Sequence, residues 1–176
     1  MTKEQSFISA DRIDPDPFIS SQTRERTLNE AVVQANISDS FEEYLEIFDV
    51  FYDDDVEVTS DTGEKPIRGK ARVRSLLANF LVLLHVMAEV GGLLISIRQS
   101  AIRGDVAGET HSAWTLELVS VSGRACTVSW CTLRKWKGSR VVYEHHYDHQ
   151  QSGGPLTSDD LSLNAATSAA GFRRPS

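Results

Sequence analysis

Val141-Val142-Tyr143-Glu144-His145-His146-Tyr147-Asp148-His149 holds three of the chain's five histidines, with two carboxylates and two phenols among them. It follows a Lys137-Gly138-Ser139 turn and opens on two valines, which is how a β-strand reads. Successive side chains of a strand point to opposite faces. Val142, Glu144, His146 and Asp148 therefore share one face, and Val141, Tyr143, His145 and Tyr147 the other. A register slip of one residue exchanges the two rows, and alternation alone leaves open which of them lines the interior.

Three further strands precede this one. Leu93 to Ile102, Val106 to Val121 and Arg124 to Trp136 are separated by Arg103-Gly104-Asp105 and Ser122-Gly123 turns. Strands joined by short turns form an antiparallel meander. Before residue 91 the hydrophobic period is helical. Leu28, Ala31, Val32 and Ala35 line a first helix from Ser21, ending at Asn36 to Ser38. Ser40-Phe41-Glu42-Glu43 has the form of a capping box, and Phe41, Tyr44, Leu45 and Phe48 line a second helix that stops near Phe51. Asp53-Asp54-Asp55 would be unfavourable at the negative end of its dipole. Val56-Glu57-Val58-Thr59 alternates as a short strand that turns at Asp61-Thr62-Gly63. Gly69-Lys70 leads into a third helix running to about Val90, with Val73, Leu76, Leu77, Phe80, Leu84 and Met87 as its main stripe. Leu81, Val82 and Leu83 widen that stripe almost all round, which predicts a helix covered by other elements. Helices first and a meander after predict an α+β fold, a curved antiparallel sheet wrapped around N-terminal helices.

The 176 residues, 40% hydrophobic and 24% charged, suit one soluble globular domain with a sizeable core. Residues 1–20, with Asp14-Pro15-Asp16-Pro17, read as an N-terminal arm, 21–150 as the domain, and 151–176, rich in Ser, Ala, Thr and Gly, as a mobile tail. A net charge of −7 without a basic cluster argues against nucleic acid as a partner. The run Leu76 to Val90, broken by Asn79, His85 and Glu89, reads as too short and too polar for a bilayer. The first residues lack the apolar core of a secretion signal, so a cytoplasmic protein without a membrane partner is expected. Cys126 and Cys131, five apart in one strand, point to opposite faces and read as free buried thiols. The three adjacent aspartates lack the spaced ligands of a cation site, and no glycine-rich phosphate loop, nucleophile elbow or zinc spacing occurs, so neither metal nor cofactor is expected.

Three groups of residues together carry a family resemblance: Phe51-Tyr52-Asp53-Asp54-Asp55-Val56-Glu57-Val58 with Gly69-Lys70, then Ile102-Arg103-Gly104-Asp105-Val106-Ala107, then Glu144-His145-His146-Tyr147-Asp148. In this order the chain resembles SnoaL-like proteins of the nuclear-transport-factor-2-like (NTF2-like) superfamily over about residues 21 to 150. That resemblance implies a cone-shaped α+β barrel of cystatin-like topology. The superfamily holds polyketide cyclases, ketosteroid isomerases, dehydratases and epoxide hydrolases beside non-catalytic binding and dimerisation modules, so fold does not decide function. Epoxide hydrolases of this fold carry an Arg-x-Asp pair after the "G-D" turn. Glu109-Thr110-His111-Ser112 stands there instead, which argues against the same water-activating triad.

An acid/base enzyme without cofactor is the leading expectation, acting on a small apolar carbonyl-bearing or polycyclic molecule by cyclisation, isomerisation or dehydration. A carboxylate beside an imidazole moves protons near neutral pH. Asp148 or His146 is then the candidate base, and His111 or Tyr44 its hydrogen-bond partner, with His145 replacing His146 if the register slips. Against this, simple alternation sends the Trp114 row to the core and leaves His111 outside, and the histidine row can equally face solvent. Phe48, Phe80, Leu84, His85, Trp114 and Trp130 are candidate pocket walls, although core packing suits most of them, and a histidine near a helix C-terminus suits the dipole. The alternatives are a binding module with a closed apolar pocket, and a homodimer formed through the sheet face.

Overall fold

The computed structural model describes residues 20–35, 41–63, 65–89, 91–104, 108–154 and 156. The N-terminal arm, the Ser40 capping box, Asp105 to Ala107 and most of the C-terminal tail lie outside the described residues. Three helices, α1 (Ser21–Gln34), α2 (Phe41–Phe51) and α3 (Lys70–Glu89), pack on a sheet of β1 (Tyr52–Ser60), β2 (Ile67–Arg68), β3 (Leu94–Gly104), β4 (Glu109–Val119), β5 (Ala125–Lys137) and β6 (Arg140–Ser152). Ser20 starts α1 by accepting the Thr23 backbone N–H at 3.2 Å. The three aspartates follow α2 directly as part of β1.

The sheet order is β2-β1-β6-β5-β4-β3. β3 to β6 form the antiparallel meander, but β1 lies parallel to β6, with Thr59 beside His145 and Ser60 beside His146. The sheet is therefore mixed, where the strands alone read as antiparallel throughout, and with its helices it makes the curved, unclosed α+β cone that the resemblance implied. Parallel neighbours need a long crossover, and here α3 and the four strands β2 to β5 supply it.

Two apolar clusters fill the concave side. Leu28, Phe48, Phe51, Tyr52, Val56, Trp136 and Val141 form one. Ala35, Tyr44, Leu45, Leu81 and Leu84 form the other, with Ile95 and Leu118 packed against it. α3 departs from its expected cover: Leu81 and Leu84 are buried, but Leu76, Phe80, Val82, Leu83 and Val86 are 42–56% exposed. A single sheet face can take only one side of a helix. By length and composition α3 is also apolar enough to cross a membrane, despite Asn79, His85 and Glu89, a test that the core helix of a soluble protein passes too. Cys126 is buried, Cys131 is half-buried, and both are free.

Candidate functional site

The inner face of the sheet carries charge where a core would ordinarily be apolar. Glu25 and Asn29, one turn apart on the buried side of α1, are 0% and 1% exposed. Opposite them, β5 turns Arg134 inward in the same row as Trp136 and Thr132. The Arg134 guanidinium donates from Nη1 to Glu25 Oε1 at 2.6 Å and Asn29 Oδ1 at 3.0 Å, and from Nε to Glu144 Oε2 at 2.6 Å. Thr110 and Ser112 on β4 donate their hydroxyls to Glu25 at 2.8 and 2.5 Å. Trp136 Nε1–H closes the row by donating to Thr110 at 2.9 Å. A buried cation that meets two carboxylates and an amide this way meets the requirement for burying charge at all.

Glu144 joins this network to the rim. Its Oε2 also accepts the Tyr52 hydroxyl at 2.5 Å, and its Oε1 lies 2.6 Å from His146 Nε2. Burial acts to raise the Glu144 carboxyl, but the charge of Arg134, then His146 and the hydrogen bond from Tyr52, hold it well below the usual carboxylate range. Burial in turn holds the Tyr52 phenol well above its ordinary value. Glu144 is thus a fixed anion, and an anion only accepts. His146 must therefore carry a proton on Nε2, which leaves Nδ1 as the lone pair of the neutral ring.

His146, its side chain 30% exposed, lines a cleft of about 310 Å³ with Val58, Ser60, Thr62, Lys65, Ile67 and His149. His149 shares this face because β6 is irregular. β5 and β6 shift register between Ser129 and Cys131, and Asp148 takes a left-handed φ of 60°. Asp61, at the end of β1, holds that conformation: its Oδ2 accepts the Asp148 N–H at 2.8 Å, and its Oδ1 lies 2.7 Å from His149 Nδ1. The His146 and His149 rings then stand 6.5 Å apart and 14° from parallel. Each has its own carboxylate.

Four buried polar atoms have no hydrogen-bond partner among the described residues: Thr132 Oγ1, Trp114 Nε1, Tyr44 OH and His85 Nδ1. Thr132 is the β5 neighbour of His146 in register. Trp114 is paired with Trp130 in the adjoining inner row, their rings stacked at 6.3 Å. Tyr44 lies in the cluster beneath α3, its phenol pushed up by burial.

Of the predicted site residues, the structure brings His146 to the cleft and places Trp114 and Trp130 on the same sheet face. Asp148 is exposed and engages through its backbone; the carboxylate at His146 is Glu144, two residues earlier in the same row. His111 and His145 are on the outer face, where His111 Nδ1 meets the Tyr147 hydroxyl at 3.0 Å and His145 Nδ1 meets Thr59 at 2.8 Å. Phe48 is buried and stacks on Tyr52 at 4.3 Å, Leu84 is buried in the core, His85 packs edge-on against Phe41, and Phe80 is exposed. Sequence reading missed Glu25, Asn29, Tyr52, Asp61, Arg134 and His149. Two of these left a trace: Glu25 lies on the apolar stripe of its helix, and Arg134 has the strand parity of Trp130 and Trp136. Among the described residues no group of three or more His, Cys, Asp or Glu side chains converges as a metal site would.

No family model matches the sequence, and no curated protein matches it. Solved structures do resemble the fold. An NTF2-like protein of unknown function from Cytophaga hutchinsonii is 12% identical with a TM-score of 0.52, covering 73% of this chain and 98% of its own. A putative polyketide cyclase from Xanthomonas campestris is 13% identical at 0.52, covering 73% and 93%. An epoxide hydrolase of the LEH-like kind from M. tuberculosis is 16% identical at 0.50, covering 85% and 96%. Likeness at such identity is a likeness of fold, and in its fold, three helices on a curved open sheet, this chain is similar to NTF2-like proteins, as its SnoaL-like motifs lead one to expect.

Proposed function

We propose that the protein is a cofactor-free proton-transfer enzyme of the cyclase, isomerase or dehydratase kind, acting on a small apolar carbonyl-bearing or polycyclic molecule at the His146 cleft. One observation carries this reading: the 2.6 Å contact of a buried, charge-compensated Glu144 with a His146 ring that is still open to the cleft. In this reading His146 Nδ1 takes an acidic C–H or O–H proton. Glu144 fixes the tautomer and stabilises the imidazolium that forms, as an orienting carboxylate does for a catalytic histidine. The hydroxyls of Ser60 and Thr62 and the Lys65 ammonium, which line the same cleft, are the donors for the oxygen on which negative charge develops. His149, backed by Asp61, is the group that returns a proton at the rim. The named polyketide cyclase and epoxide hydrolase support the reading only as neighbours in fold.

The test is deuterium exchange followed by proton NMR, with a panel of enolisable cyclic ketones and 1,3-dicarbonyl compounds in D2O. The protein is expected to accelerate exchange at the α-carbon of at least one compound. His146→Gln is expected to lower that rate about 10²- to 10⁴-fold. Binding of these compounds without exchange would favour the non-catalytic ligand-binding module instead. A homodimer belongs to the same proposal. The outer sheet face presents Tyr143, His145, Tyr147 and His111, and light scattering that shows only monomer at micromolar concentration would count against it.

A further inference from the structure

We propose that residues 157–176 of this chain bind the exposed apolar side of α3. Leu76, Phe80 and Leu83 recur at i, i+4 and i+7, and Val82 and Val86 at i and i+4, so the exposed residues form one continuous face beside the buried Leu81 and Leu84. A patch of this kind on a folded protein marks a contact. Several observations point to the chain's own C-terminal segment as the occupant.

The first is where β6 releases the chain. Gly153, at φ 82°, lies so close to the start of β5 that a Cβ there would stand 2.2 Å from the Ala125 carbonyl oxygen. Ala125 pairs with Val119, and Val119 with Leu94. Leu94 and nearby Val121 are themselves exposed apolar residues, 70% and 54%. Leu94 follows the end of α3 by only five residues. The chain therefore leaves the sheet beside an apolar path that runs onto the C-terminal end of α3. Leu156, the first large apolar residue after β6, is already half-buried.

The second is reach and composition. Each residue after Leu156 adds at most about 3.5 Å of reach when extended. The face from Leu76 to Val86 is about 15 Å long at the rise of a helix, and the 20 residues from 157 to 176 exceed it several-fold when extended. The segment offers Leu161, Leu163 and Phe172 as its large apolar side chains, with alanines at 165, 166, 169 and 170 between them. A membrane suits the face less well, because a net charge of −7 is repelled by anionic lipid.

Phe80→p-benzoylphenylalanine in the full chain tests this directly, with Leu83→p-benzoylphenylalanine as a second position. Both sites are exposed, and an unchanged circular dichroism melt confirms the fold. On irradiation, mass spectrometry is expected to find α3 joined to peptides within 157–176 of the same chain, with a yield independent of protein concentration. Crosslinks between copies that rise with concentration, or crosslinks that avoid 157–176, would overturn the proposal. Leu161→Ser, Leu163→Ser and Phe172→Ser combined in the full chain are expected to raise the fluorescence of an added anilinonaphthalene sulfonate dye several-fold. An unchanged signal would sink the idea.

Discussion

Glu144→Gln keeps the shape of the side chain and removes its charge. An amide at that position no longer holds the imidazolium of His146, and its nitrogen competes as a donor toward Arg134. Proton transfer in the exchange assay is expected to fall by about 10²- to 10⁴-fold, with the circular dichroism spectrum unchanged. Asp148→Gly separates the two carboxylates of β6. The Asp148 side chain touches nothing in the site, while its φ of 60° is the left-handed conformation that glycine adopts freely. The variant is expected to leave the rate unchanged and to raise stability by up to about 1 kcal/mol in urea titration. A loss of rate as large as that of Glu144→Gln would return the catalytic role to Asp148. Alternation placed Glu144, His146 and Asp148 in one row. Their different fates come with Asp61, which approaches from the turn after β1 and accepts the Asp148 N–H where the backbone leaves regular extension.

Three elements meet at Arg134: α1 brings Glu25 and Asn29, β5 the guanidinium, and β6 Glu144. Arg134→Met retains much of the volume but leaves two buried carboxylates facing each other. Breaking a buried pair by removing one partner costs about 3–5 kcal/mol, so the urea midpoint should fall accordingly, and a change under about 1 kcal/mol would mean that water reaches the pair. The boundaries of these elements follow from short-range rules. α2 ends where the aspartates begin, and the meander turns at its glycines. The mixed pairing of β1 with β6 did not follow, because a parallel neighbour is chosen by packing across the whole intervening chain. Nor did the exposed side of α3, since a hydrophobic pattern states what a helix would bury and not what is there to bury it.

The acidic network gives the whole molecule a pH signature. Glu144 has a folded value held well below the ordinary 4.5 of a glutamate. A depressed value means that the folded state binds its proton more weakly, so this group contributes stability above about pH 4.5 and loses it progressively as pH falls towards the folded value. Tyr52 acts at the other end. Its raised value means stability that is present below the phenol's ordinary 10 and lost as pH rises past it. Thermal melts are expected to hold a plateau between these limits and to fall outside them. Arg134→Met should flatten the acid limb, because the cation that depresses Glu144 is gone.

The order of the three helices and the meander strands, the turns, the grouping of Glu144 with His146 on one strand face and the net negative charge were determined by the sequence itself, through local periodicity, backbone preference and summed charge. These properties need only near neighbours along the chain. The inward facing of that row was not among them. The carboxylate that serves His146, the bulge that brings His149 beside it, the guanidinium that keeps Glu144 ionised and the open side of α3 were decided by the tertiary structure. Each depends on residues tens of positions apart meeting in a low-dielectric interior, where a charge is kept only if its partners arrive with it.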